Sequence, residues 1–556
     1  ILLYLRRINN NLMKKKQRKY IFVVGGVLSG VGKGVTAASL GAIFETKGFT
    51  VTALKADPYI NVDAGTMNPI EHGEVFVTDD GDETDQDIGN YERFLDVDLD
   101  SKNYMTTGRV YQSVIDAERA MKYKGRCVQV VPHIPEEIIR RVTTAAEAKD
   151  ADFIIIEIGG TVGEYENILF LEAARMMKLA DPTGVAFVLV SYLPIPSHLG
   201  EMKTKPTQHA ARALNSAGIN PDIIVARGAK DLDKPRREKL AIFCGVPEDH
   251  VIAAPDVQSI YEIPLKLEEQ GVSDTLLKVL GMKPRSSNMS AWQNFVKKIK
   301  HSEKEVKIAI VGKYFGTGEY TLADSYISVI EATKHAAWVN NARPVLEWID
   351  SEVYEEHPER IKELAVYDGI IVPGGFGTRG VEGIIKTIQF AREHKKPYLG
   401  LCYGMQLASI EFVRNVLGKP TAHTTEVDAN TSDPVIHSNP GQTTNIRENR
   451  YGGTMRLGAY DCAIRRGTKT HDAYGADTIS ERHRHRYEFN NAYREAVDAA
   501  GLQVVGVNPD TDLVEIVELA DHPFFVGTQF HPELKTRPMR PHPLFREFVK
   551  AALKKQ

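Results

Sequence analysis

The sequence predicts an α/β chain built from two large halves, and three observations carry that expectation. Short continuous apolar runs recur along the chain, with helical patterns such as Val35–Lys47 and Ser325–Ala337 between them. The runs are apolar throughout rather than alternating, which marks strands buried on both faces, as in parallel sheets covered by helices. One Lys- and Ser-rich stretch without apolar periodicity, residues 281–307, interrupts the pattern near the middle.

Taken in order, the strand-like runs of the first half are YIFVVGG, TVTALKADP, DFIIIEIGG, GVAFVLVSYL and PDIIVARG. Those of the second half are KIAIVG, GIIVPGG and PYLGLCYG. A prior of about 150 residues per domain allows two to four domains in 556 residues. The expected division is a first domain over 13–282, a linker over 283–305 and a second domain over 306–556. Residues 1–12 read as a non-native or read-through extension, because Met13 follows them and the basic run KKKQRK leads into the first strand. Their apolar start is too short for a secretory signal.

With 42% hydrophobic and 26% charged residues the chain is an ordinary globular one and not a disordered one. Sixty-nine Lys and Arg against 73 Asp and Glu leave a net charge of −4, so nothing points to nucleic acid as partner. No apolar run reaches the roughly 18 residues a membrane helix needs. The four cysteines, Cys127, Cys244, Cys402 and Cys462, form no CxxC pair. That argues against a disulfide framework or zinc site and fits a reducing cytoplasm.

The first chemical signal follows the first strand, in GGVLSGVGKGVTAASLGAIF (25–44). Glycines let a backbone approach phosphate closely, and the next helix turns free amides toward the anion. Lys33 is placed to reach outer phosphates. The match to GxxxxGK[ST] is imperfect, since Gly34 stands where a magnesium-binding hydroxyl belongs. Carboxylates must then hold that cation. Two candidates are Asp87, at the end of the acidic loop DDGDETDQD, and Glu157, which closes the apolar strand FIIIEIGG. A carboxylate in such a strand is costly to desolvate unless paired or metal-bound. The acidic loop fits a solvated surface equally well. A third cluster is GEMKTKPTQH (200–209), where an extended segment puts Lys203 and Lys205 on one side, suited to a second polyphosphate or to plain surface exposure.

The second half carries PGGFGTRG (373–380) and GLCYGMQ (400–406). Cys402 follows a strand between two glycines, an elbow that exposes a side chain beside helix amides and lowers a thiol's pKa. About 130 residues later comes QFHPE, with His531 and Glu533. Cysteine, histidine and carboxylate make a nucleophile, its base and the group that orients the base. Gly374 and Gly375 offer backbone N–H groups to an oxyanion. Glu426 in TTEVD, the segment GGTMRLG and the arginines of ERHRHRYEFN (481–490) complete the polar inventory. That last run suits a substrate carboxylate or a solvated surface.

From about Lys19 to Lys550 the chain resembles the CTP synthase family, a synthetase with a P-loop-type parallel sheet followed by a class I glutamine amidotransferase domain. The resemblance rests on GGVLSGVGKG, KADPYINVDAGTMNPIEHGEVFVTDDG, ETDQDIGNYERF, EIGGTVGE, KTKPTQH, PGGFGTRGVEG, GLCYGMQ, GGTMRLG, ERHRHRYEFN and QFHPE. It implies ATP-dependent amination of UTP with ammonia drawn from glutamine, GTP activation, CTP inhibition, a cytoplasmic tetramer and filament formation. It implies that Ser29, Gly30, Val31, Gly32, Lys33 and Gly34, with Lys55, Asp87, Asp256 and Val257, bind ATP. Asp87 and Glu157 match the magnesium carboxylates. Glu164, Glu166, Lys203, Lys205, Gln208 and Lys239 fall on the UTP and CTP stretch. Gly375, Tyr403, Gly404, Met405, Gln406, Glu426 and Arg486 match glutamine-binding positions, and Cys402, His531 and Glu533 the glutaminase triad. The chain departs from the family at GEYEN (163–167), where GDIES is usual, in SYLPIPSHLG before KTK, and at Tyr403, where an aliphatic residue is usual. A corrinoid side-chain amidase-type synthase and a non-catalytic assembly or regulatory protein are the other readings of similar halves, since related P-loop folds serve as partitioning ATPases; KTKPTQH argues against the first, and the intact triad and metal carboxylates against the second.

Overall fold

Runs that are apolar on both faces need cover on both faces, and the fold supplies it with parallel sheets between helices. The computed structural model describes residues 17–554 apart from 199, 314–315, 318–319, 322 and 439–452. The expectation for residues 1–12 lies outside the described residues. The chain divides into two units, one of residues up to Asp63 with Asp87–Val296, the other of Ala64–Gln86 with Lys297–Gln556.

In the first unit, β1 (Lys19–Gly26) leads into α1 (Lys33–Thr46), followed by β2 (Val51–Asp57), β3 (Tyr104–Thr106), β4 (Phe153–Ile158), β5 (Val185–Tyr192), β6 (Ile223–Gly228) and β7 (Val251–Pro255). The sheet order is β3-β2-β4-β1-β5-β6-β7 and every pairing is parallel. The register sets Val23 opposite Glu157 and Lys55 opposite Glu157, so lysine, carboxylate and glycine turn leave the sheet at one edge. β1 is central, and the chain winds away from it on both sides, which opens a crevice beyond its carboxyl end. Phe44 of α1 stacks on Phe153 at 4.3 Å, with Phe49 edge-on at 4.8 Å.

In the second unit, β8 (Lys304–Gly312), β9 (Ala342–Asp350), β10 (Gly369–Val372), β11 (Tyr398–Leu401), β12 (Arg456–Ile464), β13 (Thr478–His485), β14 (Leu502–Val507), β15 (Val514–Leu519) and β16 (Phe525–Thr528) form one sheet. Its order is β9-β8-β10-β11-β16-β15-β14-β12-β13. Alternate residues face opposite sides: Ile370 and Val372 enter one apolar cluster, Ile371 and Leu399 the other. The pairings from β9 through β16 are parallel, whereas β16-β15-β14-β12-β13 are antiparallel. The sequence reading expected parallel sheets in both halves, and here the sheet is mixed. The connection between β14 and β15 is too short for a helical crossover and closes a hairpin. Residues 64–86 add a hairpin of their own, Val75–Val77 against Glu83–Asp85. Among the described residues no helix is long and apolar enough to cross a membrane.

Phe153 is fully buried at the centre of its aromatic group. Phe153→Ala is expected to remove about 3–5 kcal/mol of the first unit's stability. The measurement is the urea midpoint of that unit's transition, and an unchanged midpoint would mean the stack does not hold it.

Candidate active sites

The first site is built at the carboxyl ends of β1, β2 and β4. After β1 the chain turns through exposed Ser29 and Gly30, buried Val31 and half-buried Gly32, with Gly30 and Gly32 at φ +71° and +92°. Lys33 opens α1, is buried, and its Nζ donates to the Gly160 carbonyl at 2.9 Å. Burial lowers the Lys33 pKa, with Glu157 opposing. A Cβ on Gly34 would lie 2.0 Å from Asp87 Oδ1. The carboxylate thus occupies the space that a serine or threonine would fill in the usual loop, and this explains the glycine there.

Lys55 Nζ donates to Glu157 Oε1 at 3.0 Å, bonds Asp87 and lies 3.8 Å from Asp57 Oδ1. Tyr91 donates its hydroxyl to Glu157. Burial raises the Glu157 pKa, ahead of Asp87, and pushes Asp57 up to about 6 against the pull of Lys55. Asp57 Oδ2 is buried without a hydrogen-bond partner among the described residues. Asp57 closes an apolar strand just as Glu157 does; the same desolvation argument applied to TVTALKAD finds it, and the sequence reading missed it.

Other expected residues of this unit are placed as follows. Arg227, beneath Gly32, donates to exposed Asp256 at 3.0 Å, with Val257 half-buried beside it. Glu164 accepts from the Thr161 amide at 2.9 Å, and Glu166 is exposed. Lys203 pairs with Glu201 at 2.8 Å. Lys205 does not continue an extended segment: it opens the helix Lys205–Ser216, with its Nζ 5.8 Å from the Phe243 ring centroid. Pro206 at the helix start favours that turn over an extended chain. Gln208 is buried and donates to Thr204 Oγ1 at 3.1 Å, and its Oε1 has no partner among the described residues. Lys239 is exposed on the helix Lys234–Cys244. Lys33, Lys55, Asp87 and Glu157 form one cluster; the contacts named above for the other residues do not join it.

The second site sits where β10, β11 and β16 end side by side. The loop Pro373–Gly380 follows β10, Cys402 follows β11, and His531 and Glu533 follow β16. The Cys402 amide donates to Thr528 O at 2.6 Å, so the nucleophile's backbone is pinned to β16. Cys402 has φ 50° and ψ −96° at the start of the helix Tyr403–Asn415, a strained elbow for a non-glycine residue. His531 Nδ1 and Glu533 Oε1 are 2.7 Å apart. Burial opposes a charge on His531, but Glu533 and then Cys402 outweigh it and raise its pKa well above the usual imidazole value. A Cβ on Gly374 would lie 2.8 Å from His531 Cε1, so only glycine lets the imidazole sit there.

Cys402 opens into a cavity of about 500 Å³ lined by Gly375, Phe376, Gln406, Glu426 and Arg486, with Gly65–Pro69 along one wall. Glu426 accepts from the Gly377 amide at 2.8 Å and its pKa is raised by burial. Arg486 donates to Thr454 Oγ1 at 2.8 Å. A carboxylate and a guanidinium in one cavity match the ammonium and carboxylate of an amino acid. Tyr403, Gly404 and Met405 are buried in the helix behind the nucleophile. The hydroxyl of Tyr403 donates to Gly377 O at 2.9 Å, and buried Lys313 donates to the same oxygen at 2.7 Å. The segment 64–86 is tied down by charge: Asp79 bonds Arg482, and Arg484 Nε donates to Glu83 Oε1 at 2.9 Å. Two of the ERHRHR arginines, Arg482 and Arg484, are therefore structural ties, while Arg484 and Arg486 both line the cavity.

A family description, CTP synthase N-terminus, matches residues 19–282, and another, glutamine amidotransferase class-I, matches 321–551. Proteins named CTP synthase from Symbiobacterium thermophilum and Carboxydothermus hydrogenoformans are 51% and 52% identical. They cover 96% of this chain each and 98% and 99% of their own lengths. One from Caldanaerobacter subterraneus is 51% identical over 96% of this chain and 98% of its own. The chain belongs to the CTP synthase family. Of the residues expected to depart from the CTP synthase pattern, Tyr403 holds the Gly377 peptide with its hydroxyl. Tyr165, another of them, is 92% exposed.

Gly374→Ala is expected to displace the imidazole and slow glutamate release from glutamine by about tenfold to a hundredfold. A rate equal to that of the parent would show that His531 tolerates the methyl.

Proposed function

We propose that this chain makes CTP from UTP, ATP and glutamine, as a carbon–nitrogen ligase of two coupled half-reactions. The observation that carries the reading is the pairing, in one chain half identical to proteins named CTP synthase, of a complete Cys-His-Glu arrangement with a lysine-lined phosphate turn. In this reading 13–282 forms the synthetase domain, 283–305 the linker and 306–556 the amidotransferase domain.

In the glutaminase half, Cys402 Sγ attacks the glutamine side-chain carbonyl carbon. The oxyanion is met by amides of Gly374 and Gly375, and the imidazolium of His531 gives its proton to the leaving nitrogen. Ammonia departs, and water then adds to the thioester with His531 as base, releasing glutamate and the thiol. Gly375, Gln406, Glu426 and Arg486 hold the substrate, Glu426 facing its ammonium and Arg486 its carboxylate, while Tyr403, Gly404 and Met405 back the nucleophile.

In the synthetase half, O4 of UTP takes the γ-phosphoryl group of ATP, giving ADP and a 4-phosphorylated pyrimidine. Ammonia adds at C4, loses a proton, and phosphate leaves. Ser29–Gly34 cradle the ATP phosphates, Lys33 and Lys55 offset the charge that develops on them, and Asp256 and Val257 take the base. Glu164, Glu166, Lys203, Lys205, Gln208 and Lys239 serve UTP and the inhibitor CTP. Buried carboxylates with one orphaned oxygen on Asp57 fit a divalent cation. Asp87 and Glu157 would hold Mg²⁺ beside Asp57, and bound there it would screen the phosphate charges. GTP activation, a cytoplasmic tetramer and filaments complete the reading.

Cys402→Ala is expected to lower glutamine-dependent CTP formation by at least about three orders of magnitude while ammonia still supports it. Loss of both activities would sink the division of labour. Lys33→Ala is expected to lower both by about a hundredfold or more; ammonia-driven synthesis at the parent rate would refute its role. Absorbance of CTP formed from UTP, ATP, Mg²⁺ and either nitrogen source measures both.

A further inference from the structure

The QFHPE motif contains a residue that the triad does not use. Gln529 follows Thr528, the last residue of β16, and is completely buried. Its Nε2 lies 3.7 Å from Cys402 Sγ, within reach of a sulfur acceptor. Its backbone is fixed, since its amide donates to Glu515 O at 2.8 Å.

The sense of the Gln529 amide is fixed as well. Gln406, also buried, has its Nε2 3.0 Å from the carbonyl of Tyr487 and 3.3 Å from Gln529 Oε1. A backbone carbonyl only accepts, so Gln406 must turn its NH₂ toward Tyr487. The second N–H of that group then meets Gln529 Oε1, which leaves the NH₂ of Gln529 pointing at the sulfur. The two amides form a relay that begins on a backbone carbonyl and ends on the nucleophile.

The sulfur needs such a donor. As a thiol, Cys402 donates to Arg484 O at 3.9 Å. Once the proton passes to His531, that same carbonyl dipole faces an anion in a buried site. A donor of fixed direction offsets this, because hydrogen bonds to ionised groups are stronger than neutral ones.

Resting on the glutaminase reading above, we propose that Gln529 is a catalytic residue, its Nε2–H donating to the Cys402 thiolate, and that Gln406 is the positioning residue that fixes its amide. The thiolate is the attacking form, so the donor acts before glutamine is engaged. No bond to Gln529 forms or breaks.

The test is alkylation of Cys402 by iodoacetamide in the full-length protein, followed by mass spectrometry between pH 6.5 and 9.5. Gln529→Met keeps the volume and removes the donor. Its alkylation at pH 7 is expected to fall about fivefold or more, with the difference from the parent narrowing as the pH rises to 9.5. Gln529→Glu, which puts an acceptor against the sulfur, is expected to fall further. Gln406→Met frees the Gln529 amide to turn and is expected to give a smaller fall of the same pH form; it also serves if the Gln529 variants do not fold. An unchanged profile, or a fall by one factor at every pH, would overturn the proposal, the latter marking lost access or packing. Because alkylation reads the sulfur and not the product, such a result leaves the glutaminase reading standing. Failure of that reading shows separately, as parent protein that releases no glutamate.

Discussion

Parallel strands pair in register and end together, and this constraint underlies both sites. In the second unit the loop after β10, the nucleophile after β11 and the base after β16 are about 30 and 130 residues apart in the chain. Adjacent parallel pairing brings them to one edge, because Tyr398 pairs with both Ile370 and Phe525. The amide of Cys402 bonding Thr528 O extends that pairing one residue past the strand and sets the strained elbow. In the first unit the same geometry lines up β1, β2 and β4, so that Lys55 and Glu157 stand opposite one another.

Placing charges at such edges carries a desolvation cost, and each site answers it differently. The first gathers Asp57, Asp87 and Glu157 around Lys55, with Lys33 nearby and Tyr91 donating to Glu157. Removing one partner there would leave a buried charge uncompensated, which costs far more than the pair itself contributes. The second keeps its carboxylate beside its imidazole, so that His531 holds a proton that burial alone would strip away. Backbone supplies the rest, through the Gly377 amide on Glu426 and the Gly377 carbonyl under Tyr403 and Lys313.

Much of this was legible in the residues. The apolar runs give the strands, and the glycine-flanked Lys33 and Cys402 mark the two chemistries. The reasoning from Gly34 to a missing hydroxyl, and from there to Asp87 and Glu157, meets a structure in which Asp87 fills the space above that glycine. Less legible were the antiparallel strands β12 to β15. They begin beyond the last run read as a strand, and β12 and β13 carry polar residues on both faces, Arg456, Tyr460 and Glu481 on one and Asp461 and Arg484 on the other. Lys205 was misread as extended because alternation of two lysines carries no information about the proline that follows and turns the chain into a helix.

By itself, the sequence determined which residue types are available and where strands and elbows fall, because burial on two faces and tight turns leave local marks. Only the tertiary structure decided which of many polar residues meet. Of three arginines in ERHRHR, Arg482 and Arg484 tie down the segment 64–86, and Arg484 and Arg486 line the cavity. Asp57 joins the carboxylate cluster, and Gln529 turns its NH₂ to the nucleophile because Gln406 leaves it no other sense. Partnership of that kind depends on distances of a few ångströms between residues far apart in the chain, which no local pattern records.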